Sequence, residues 1–303
     1  MTQIPIFSRI VACLAAVTAT ALAQNASFAA LSTPRTPADE EEYFYLDQYT
    51  EPGQWLATEA EARQGEPVNG HPTLIFHIDV DHHAGEPKYP IGWPRIYLKK
   101  PGDIPWKDYD MLEFKVRAST SAPPLPGVAF NMKFTGTPKA NIDIRFGQKE
   151  LKPNEWFPFS FQLNKIAAFQ SFSNSGFFIS ESNYADKTVL DFTFAEARLV
   201  RSAACKITEM EVQGANYATA TRIPVKLTVF GPASDAARGV PFQITQGDKL
   251  IRRETLPVAR GTQMLEMDIS ELRLAPGDYG LTAFPDHPER RLTVTFKLIA
   301  SPF

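Results

Sequence analysis

Four of the chain's five histidines fall between His71 and His83. The segment reads His77-Ile-Asp-Val-Asp-His-His83 and runs on as Ala-Gly-Glu-Pro-Lys-Tyr-Pro-Ile-Gly-Trp-Pro-Arg95. No other stretch concentrates imidazole, carboxylate, aromatic and guanidinium groups in this way. On an extended strand the side chains alternate between faces. His77, Asp79 and Asp81 would then share one face, with neighbours roughly 7 Å apart. Such a row, joined by His82 or His83 at its end, could coordinate a divalent metal through His77, Asp79 and Asp81. It could equally supply the acid and base of a glycan lyase or hydrolase, with His77, Asp79, Asp81 and His83 as the catalytic candidates. The spacing matches no specific metal signature such as His-Glu-x-x-His. The competing reading is a plain solvated face. Leu74, Phe76, Ile78 and Val80 on the other side account for the alternation by themselves.

The loop that follows is a separate case. Gly85 to Arg95 carries three prolines and two glycines, so its backbone is restrained and loses little freedom on binding. Tyr89 and Trp93 could stack on sugar rings, while Lys88 and Arg95 could bond hydroxyls or carboxylates. The alternative places Trp93 as a plug in the edge of the fold, because Trp is highly buried on average. Arg95 would then pair with Asp79, Asp81 or Glu86. Asn131 and Lys133 alternate on one segment, and Asp143 and Arg145 on the next. Asn131, Lys133, Asp143 and Arg145 are therefore a further candidate binding face. No Gly-x-Ser-x-Gly, paired Cys-x-x-Cys or phosphate-cradling loop is present.

These groups must be positioned by strands. The chain is 12% aromatic with 22 Phe and 25 Pro, a composition that breaks helices and favours strands. Alternating apolar and polar runs recur at 74–81, 111–116, 128–134, 142–146, 156–163, 176–180 and 190–194. Short turns separate them, which argues for antiparallel sheets packed as a sandwich. Helical patterns are weak, with at most a single turn in 164–172. Six further candidate strands follow Cys205, at 207–212, 223–230, 240–244, 264–269, 279–284 and 292–298, a length and rhythm that suit an immunoglobulin-like sandwich. Leu272-Arg-Leu-Ala-Pro-Gly-Asp-Tyr-Gly-Leu281 resembles the corner of such domains, where a tyrosine hydroxyl ties the turn to nearby backbone.

The first residues read as a secretory signal peptide. A basic end at Arg9 precedes a short apolar core from Ile10 to Ala23 and a small-x-small cleavage pattern, with a second cut after Ala29. Export to the periplasm or exterior of a bacterium is expected, because one cysteine then remains and no internal disulfide can form. No second long apolar run exists, so no transmembrane segment is expected. A formal charge of −3 with mixed signs gives no support to nucleic-acid binding.

Three passages carry a family resemblance: Trp106-Lys-Asp-Tyr-Asp-Met-Leu-Glu-Phe-Lys-Val-Arg117, Leu151-Lys-Pro-Asn-Glu-Trp156 with Phe157 to Leu163, and Leu190-Asp-Phe-Thr-Phe-Ala-Glu-Ala-Arg-Leu199. Together they resemble the galactose-binding-like jelly roll of many non-catalytic carbohydrate-binding modules. The resemblance covers roughly 43–203. It implies core positions, Trp156 among them. The family often holds a structural calcium, for which no matching ligand set transfers here, and no other cofactor is expected. The resulting expectation is an all-β chain of two antiparallel β-sandwiches. It consists of a signal peptide (1–23), a leader (24–42), a jelly roll (43–203) and an immunoglobulin-like domain (204–303). The expected function is non-catalytic recognition of a polysaccharide or glycan. The alternatives are a secreted glycan lyase or hydrolase, and a structural module with a protein partner in the cell envelope.

Overall fold

The computed structural model describes residues 41–84, 91–98, 103–137, 140–166 and 170–301. Eleven strands precede residue 203: β1 (Glu41–Tyr45), β2 (Trp55–Thr58), β3 (Glu61–Val68), β4 (His71–Asp79), β5 (Arg95–Leu98), β6 (Met111–Thr120), β7 (Phe130–Thr137), β8 (Ala140–Phe146), β9 (Trp156–Gln162), β10 (Ser171–Phe178) and β11 (Val189–Ser202). They form two antiparallel sheets. The first has the order β3-β4-β11-β6-β9, with β1 also on β11, and the second has the order β2-β5-β10-β7-β8. The expected leader ends early, since Glu41 and Glu42 already pair with Ser202 and Arg201.

Phenylalanines fill the space between the sheets. Phe76, Phe130, Phe146 and Phe192 are fully buried. Phe130 stacks on Phe146 with ring centroids 4.6 Å apart and meets Phe192 across the core at 4.8 Å. Each buried ring contributes roughly 1.5–3 kcal/mol through area removed from water. Leu74, Phe76, Ile78 and Val80 point inward, as their alternation predicts.

The second unit holds β12 (Lys206–Val212), β13 (Asn216–Tyr217), β14 (Arg222–Phe230), helix α1 (Ala233–Arg238), β15 (Val240–Gln246), β16 (Lys249–Leu256), β17 (Gly261–Asp268), β18 (Gly277–Ala283) and β19 (Leu292–Ile299). Its sheets run β12-β14-β17 and β13-β19-β18-β15-β16. One pair, β13 with β19, is parallel. A separate core gathers here around Val225, Phe242, Met267 and Leu281. The Tyr279 hydroxyl donates to the Ala275 carbonyl at 2.8 Å, the contact that the 272–281 pattern leads one to expect. Strands β13 and β16 were not expected: one has two residues, and the other has no buried residue and four charged side chains. No helix among the described residues is long and apolar enough to cross a membrane.

A buried carboxylate joins the two units. Asp110 has no solvent exposure. Its Oδ1 accepts from Arg260 Nη2 at 2.8 Å and Nε at 3.1 Å. Its Oδ2 accepts from the amides of Ser202 at 3.0 Å and Gly231 at 2.9 Å. Burial pushes the Asp110 carboxyl up, and the guanidinium and amides oppose that shift. Asn164 adds a bond from its amide to the Val229 carbonyl, and Lys165 pairs with Glu209 at 2.7 Å. The turn expected near 164–172 is the 3-10 turn Leu163–Lys165, which carries these contacts.

Asp110→Ala would leave Arg260 and two amides without their acceptor. We expect a stability loss of about 3–5 kcal/mol in urea unfolding, because a buried charge is stranded. An unchanged midpoint would contradict this account of the junction.

Candidate functional site

Outward-facing residues of the second sheet form two cross-strand rows. Arg95, Phe178, Asn131 and Arg145 stand opposite one another on β5, β10, β7 and β8. Two residues along, Tyr97, Gly176, Lys133 and Asp143 form the next row. The alternation that buries Ile96, Met132, Ile144 and Phe177 forces these side chains outward. Lys133, Asp143 and Arg145 are exposed, while Arg95, Tyr97 and Asn131 are half-buried. Four of the residues expected to bind, Arg95, Asn131, Asp143 and Arg145, thus come together on one face, with Lys133 among them.

Tyr97 is the member that sequence reasoning passed over, because it reads as an ordinary strand residue. Its partner explains its position. A Cβ placed on Gly176 would meet Tyr97 Cδ1 at 2.4 Å and Cε1 at 2.6 Å. The ring therefore leans across the glycine and occupies the space of the missing side chain. Beside it lies a shallow depression of about 230 Å³ lined by Tyr97, Lys133, Thr135 and Asn174. An aromatic ring, an ammonium, a hydroxyl and an amide meet there, a mixture that suits sugar faces and hydroxyls. The signal that could have revealed it is a glycine facing an aromatic on adjacent strands, and that needs the register.

The histidine segment builds a different place. Glu61, His77 and Asp191 are cross-strand neighbours on β3, β4 and β11. His77 is buried, which corrects the solvated-face reading for this residue. Its Nδ1–H donates to Asp191 Oδ1 at 2.7 Å, and its Nε2 lies 3.3 Å from Asp79 Oδ2. A groove of about 650 Å³ opens here, lined among others by Glu59, Glu61, His77, Asp79, Asp81 and Glu181. Asp81 stands past the strand end. It pairs with Lys187 at 2.9 Å and accepts from the His83 amide. Those two contacts hold its carboxyl below the ordinary value. Among the described residues no three His, Cys, Asp or Glu side chains gather as a metal site would require. His83 is exposed in the turn and does not line the groove. His71 lies at the opposite end of β4, stacked on Tyr45 and bonded to Asp47 at 3.1 Å.

Glu181 is buried and bonds both the chain just past β4 and the residues that lead into β5. Its Oε1 accepts from the Asp81 amide at 3.2 Å and its Oε2 from the Gly92 amide at 2.7 Å. Glu59 accepts from the Trp93 amide at 2.7 Å. Trp93 itself is 57% exposed, so it does not plug the sandwich edge. Arg95 donates from Nη1 to the Trp93 carbonyl and has no carboxylate partner among the described residues. Lys88, Tyr89 and Glu86 lie outside the described residues. Trp156, expected in the core, sits half-buried on the outer face of the first sheet, with the Arg117 guanidinium 4.8 Å above its ring.

No family model matches the chain, and no curated protein matches it. Among solved structures, a beta-1,2-glucanase from Parabacteroides distasonis is 10% identical over 86% of this chain, with a TM-score of 0.34. The chain spans 37% of that enzyme's length. A carbohydrate-binding module specific for non-crystalline cellulose, CBM28, is 11% identical over 48% of this chain and 86% of its own, with a TM-score of 0.32. The CBM22-1-CBM22-2 tandem domain of Paenibacillus barcinonensis Xyn10C is 9% identical over 87% of this chain and 86% of its own, at 0.30. At such scores and identities the likenesses establish no shared family or activity.

Two substitutions test the loop anchorage. A methyl at Gly92 would lie 2.6 Å from Glu59 Oε2 and 2.9 Å from Glu181 Oε2. We expect Gly92→Ala to cost about 1–3 kcal/mol by overpacking, and parent-like stability would contradict the clasp. In Lys187→Ala the Asp81 carboxyl should titrate closer to its ordinary value of 3.8 by NMR. A depressed carboxyl stabilises the fold above its ordinary range and loses that contribution as pH falls through its lowered value. An unmoved Asp81 titration would rule out Lys187 as the main cause.

Proposed function

We propose that this chain recognises a glycan without cleaving it, on the outer face of the second sheet of its N-terminal sandwich. The observation that carries the reading is Tyr97 leaning over Gly176 beside a depression edged by Lys133, Thr135 and Asn174. A ring held against the sheet loses little freedom when a sugar stacks on it. The flanking polar groups can meet hydroxyls that an apolar patch would leave without partners. The exposed Trp93 stands near this face, because its chain leads directly into Arg95.

Within this reading the first sandwich is a galactose-binding-like jelly roll and the second an immunoglobulin-like module. The strand order around β14 and β18 and the Tyr279 corner support the second assignment. The signal-peptide pattern supports export to the periplasm or cell exterior, where polysaccharides are met.

A second reading is favoured by one observation. Asp191 holds the His77 ring by Nδ1 and directs Nε2 toward a groove rich in carboxylates, an arrangement fit for general acid–base work. A lyase or hydrolase of this kind would lose turnover in both His77→Ala and Asp191→Asn.

Glycan-array binding separates the two. We expect the full chain to bind at least one polysaccharide and release no product from it. Tyr97→Ala should weaken binding roughly tenfold or more, since aromatic contacts are worth about 1–3 kcal/mol. Gly176→Ala should do the same by displacing the ring. Melting temperatures near the parent's would show that both variants fold. Binding untouched by both substitutions would overturn the assignment to this face.

A further inference from the structure

The charges on the second sheet are lopsided. Its outward residues include Arg95, Lys133 and Arg145 against one carboxylate, Asp143. None of the three cations has an ion-pair partner among the described residues. Lys133 and Asp143 stand directly opposite in the register, yet their charged ends do not come within ion-pair distance. The groove at the edge of the first sheet is of the other sign, with Glu59, Asp79 and Glu181 among its lining. The whole chain carries a formal charge of −3, so the positive face runs against the overall balance. Unpaired surface cations on a flat face cost little in water, and they gain energy when a ligand brings the matching anion.

Resting on the glycan-recognition reading above, we propose that this face takes an acidic polysaccharide, one that carries carboxylates on its sugar units. Arg95 and Arg145 occupy the same cross-strand row with two strands between them. Three strand spacings put their backbones about 14 Å apart. Lys133 lies on the neighbouring row between them. A chain lying across the strands would meet a cation at each end and one beside its middle, with a sugar ring over Tyr97. Guanidinium groups bond carboxylates in a bidentate fashion, which suits uronate units. Asp143 beside Lys133 can accept from a sugar hydroxyl. Proteins with negative net charge are repelled by polyanions as a whole, so retention by one must come from a local patch.

Affinity electrophoresis of the full chain tests this directly. Gels would contain polygalacturonate or, in parallel, a neutral β-glucan and a neutral galactan. We expect retardation by polygalacturonate that weakens as salt rises and is at least roughly tenfold stronger than by either neutral polymer. Lys133→Ala and Arg145→Ala should each weaken it by roughly tenfold, the usual loss for a charge-assisted contact. Tyr97→Ala should weaken it too. Equal or stronger retardation by a neutral polymer, insensitive to the two charge substitutions, would overturn the acidic ligand and leave glycan recognition standing. Loss with the charge substitutions but none with Tyr97→Ala would reduce the interaction to bare charge attraction and overturn the proposal. Retardation by none of the polymers would overturn both readings.

Discussion

Phe130 touches Phe146 and Phe177 from its own sheet and Phe192 and Phe194 from the facing one. This seam of rings holds the N-terminal sandwich together, and it dictates the outer surfaces as well. A strand that turns one side chain inward must turn the next outward. Burying Phe130, Met132 and Phe134 therefore turns Asn131, Lys133 and Thr135 toward the outer face. Burying Ile142, Ile144 and Phe146 exposes Asn141, Asp143 and Arg145. A one-residue slip of β7 or β8 would bury charged groups without partners, at a cost no surface contact could offset. The candidate binding face is thus as firmly specified as the core behind it.

The same constraint sets how much could be read in advance. Alternation revealed most strands of both sandwiches, the inward set of β4, and the pairs Asn131/Lys133 and Asp143/Arg145. It could not reveal which strands are neighbours, because pairing such as β4 with β11 joins residues more than a hundred positions apart. Asp191 beside His77, Glu181 beneath Gly92 and Tyr97 over Gly176 all depend on that pairing. Strand β3 was missed for a different reason. Glu61–Val68 is polar, contains Gly65 and Pro67, and forms an edge, where burial imposes no pattern. Trp156 shows the limit of resemblance, since a motif position that suggested core proved to be on an outer face, covered by Arg117.

The histidines that dominate the sequence turn out to serve separate purposes. His71 stacks on Tyr45, His77 is clamped by Asp191, and the His82 ring bonds the Glu181 carbonyl. Proximity in sequence did not become a single centre. Asp110 is the opposite case: no neighbouring residue in the sequence marks it, and it is the group on which the two units converge. In both cases the deciding factor is burial. A carboxylate taken out of water must recruit donors from wherever the fold provides them, and here the fold provides Arg260 from the second unit.

Hydrogen exchange of the full chain, with and without oligogalacturonate, tests the central claim most directly. Recognition on the second sheet predicts slowed exchange confined to 95–98, 131–135, 141–145 and 174–178. Protection at 59–61 and 77–84 instead, around the His77 groove, would contradict it.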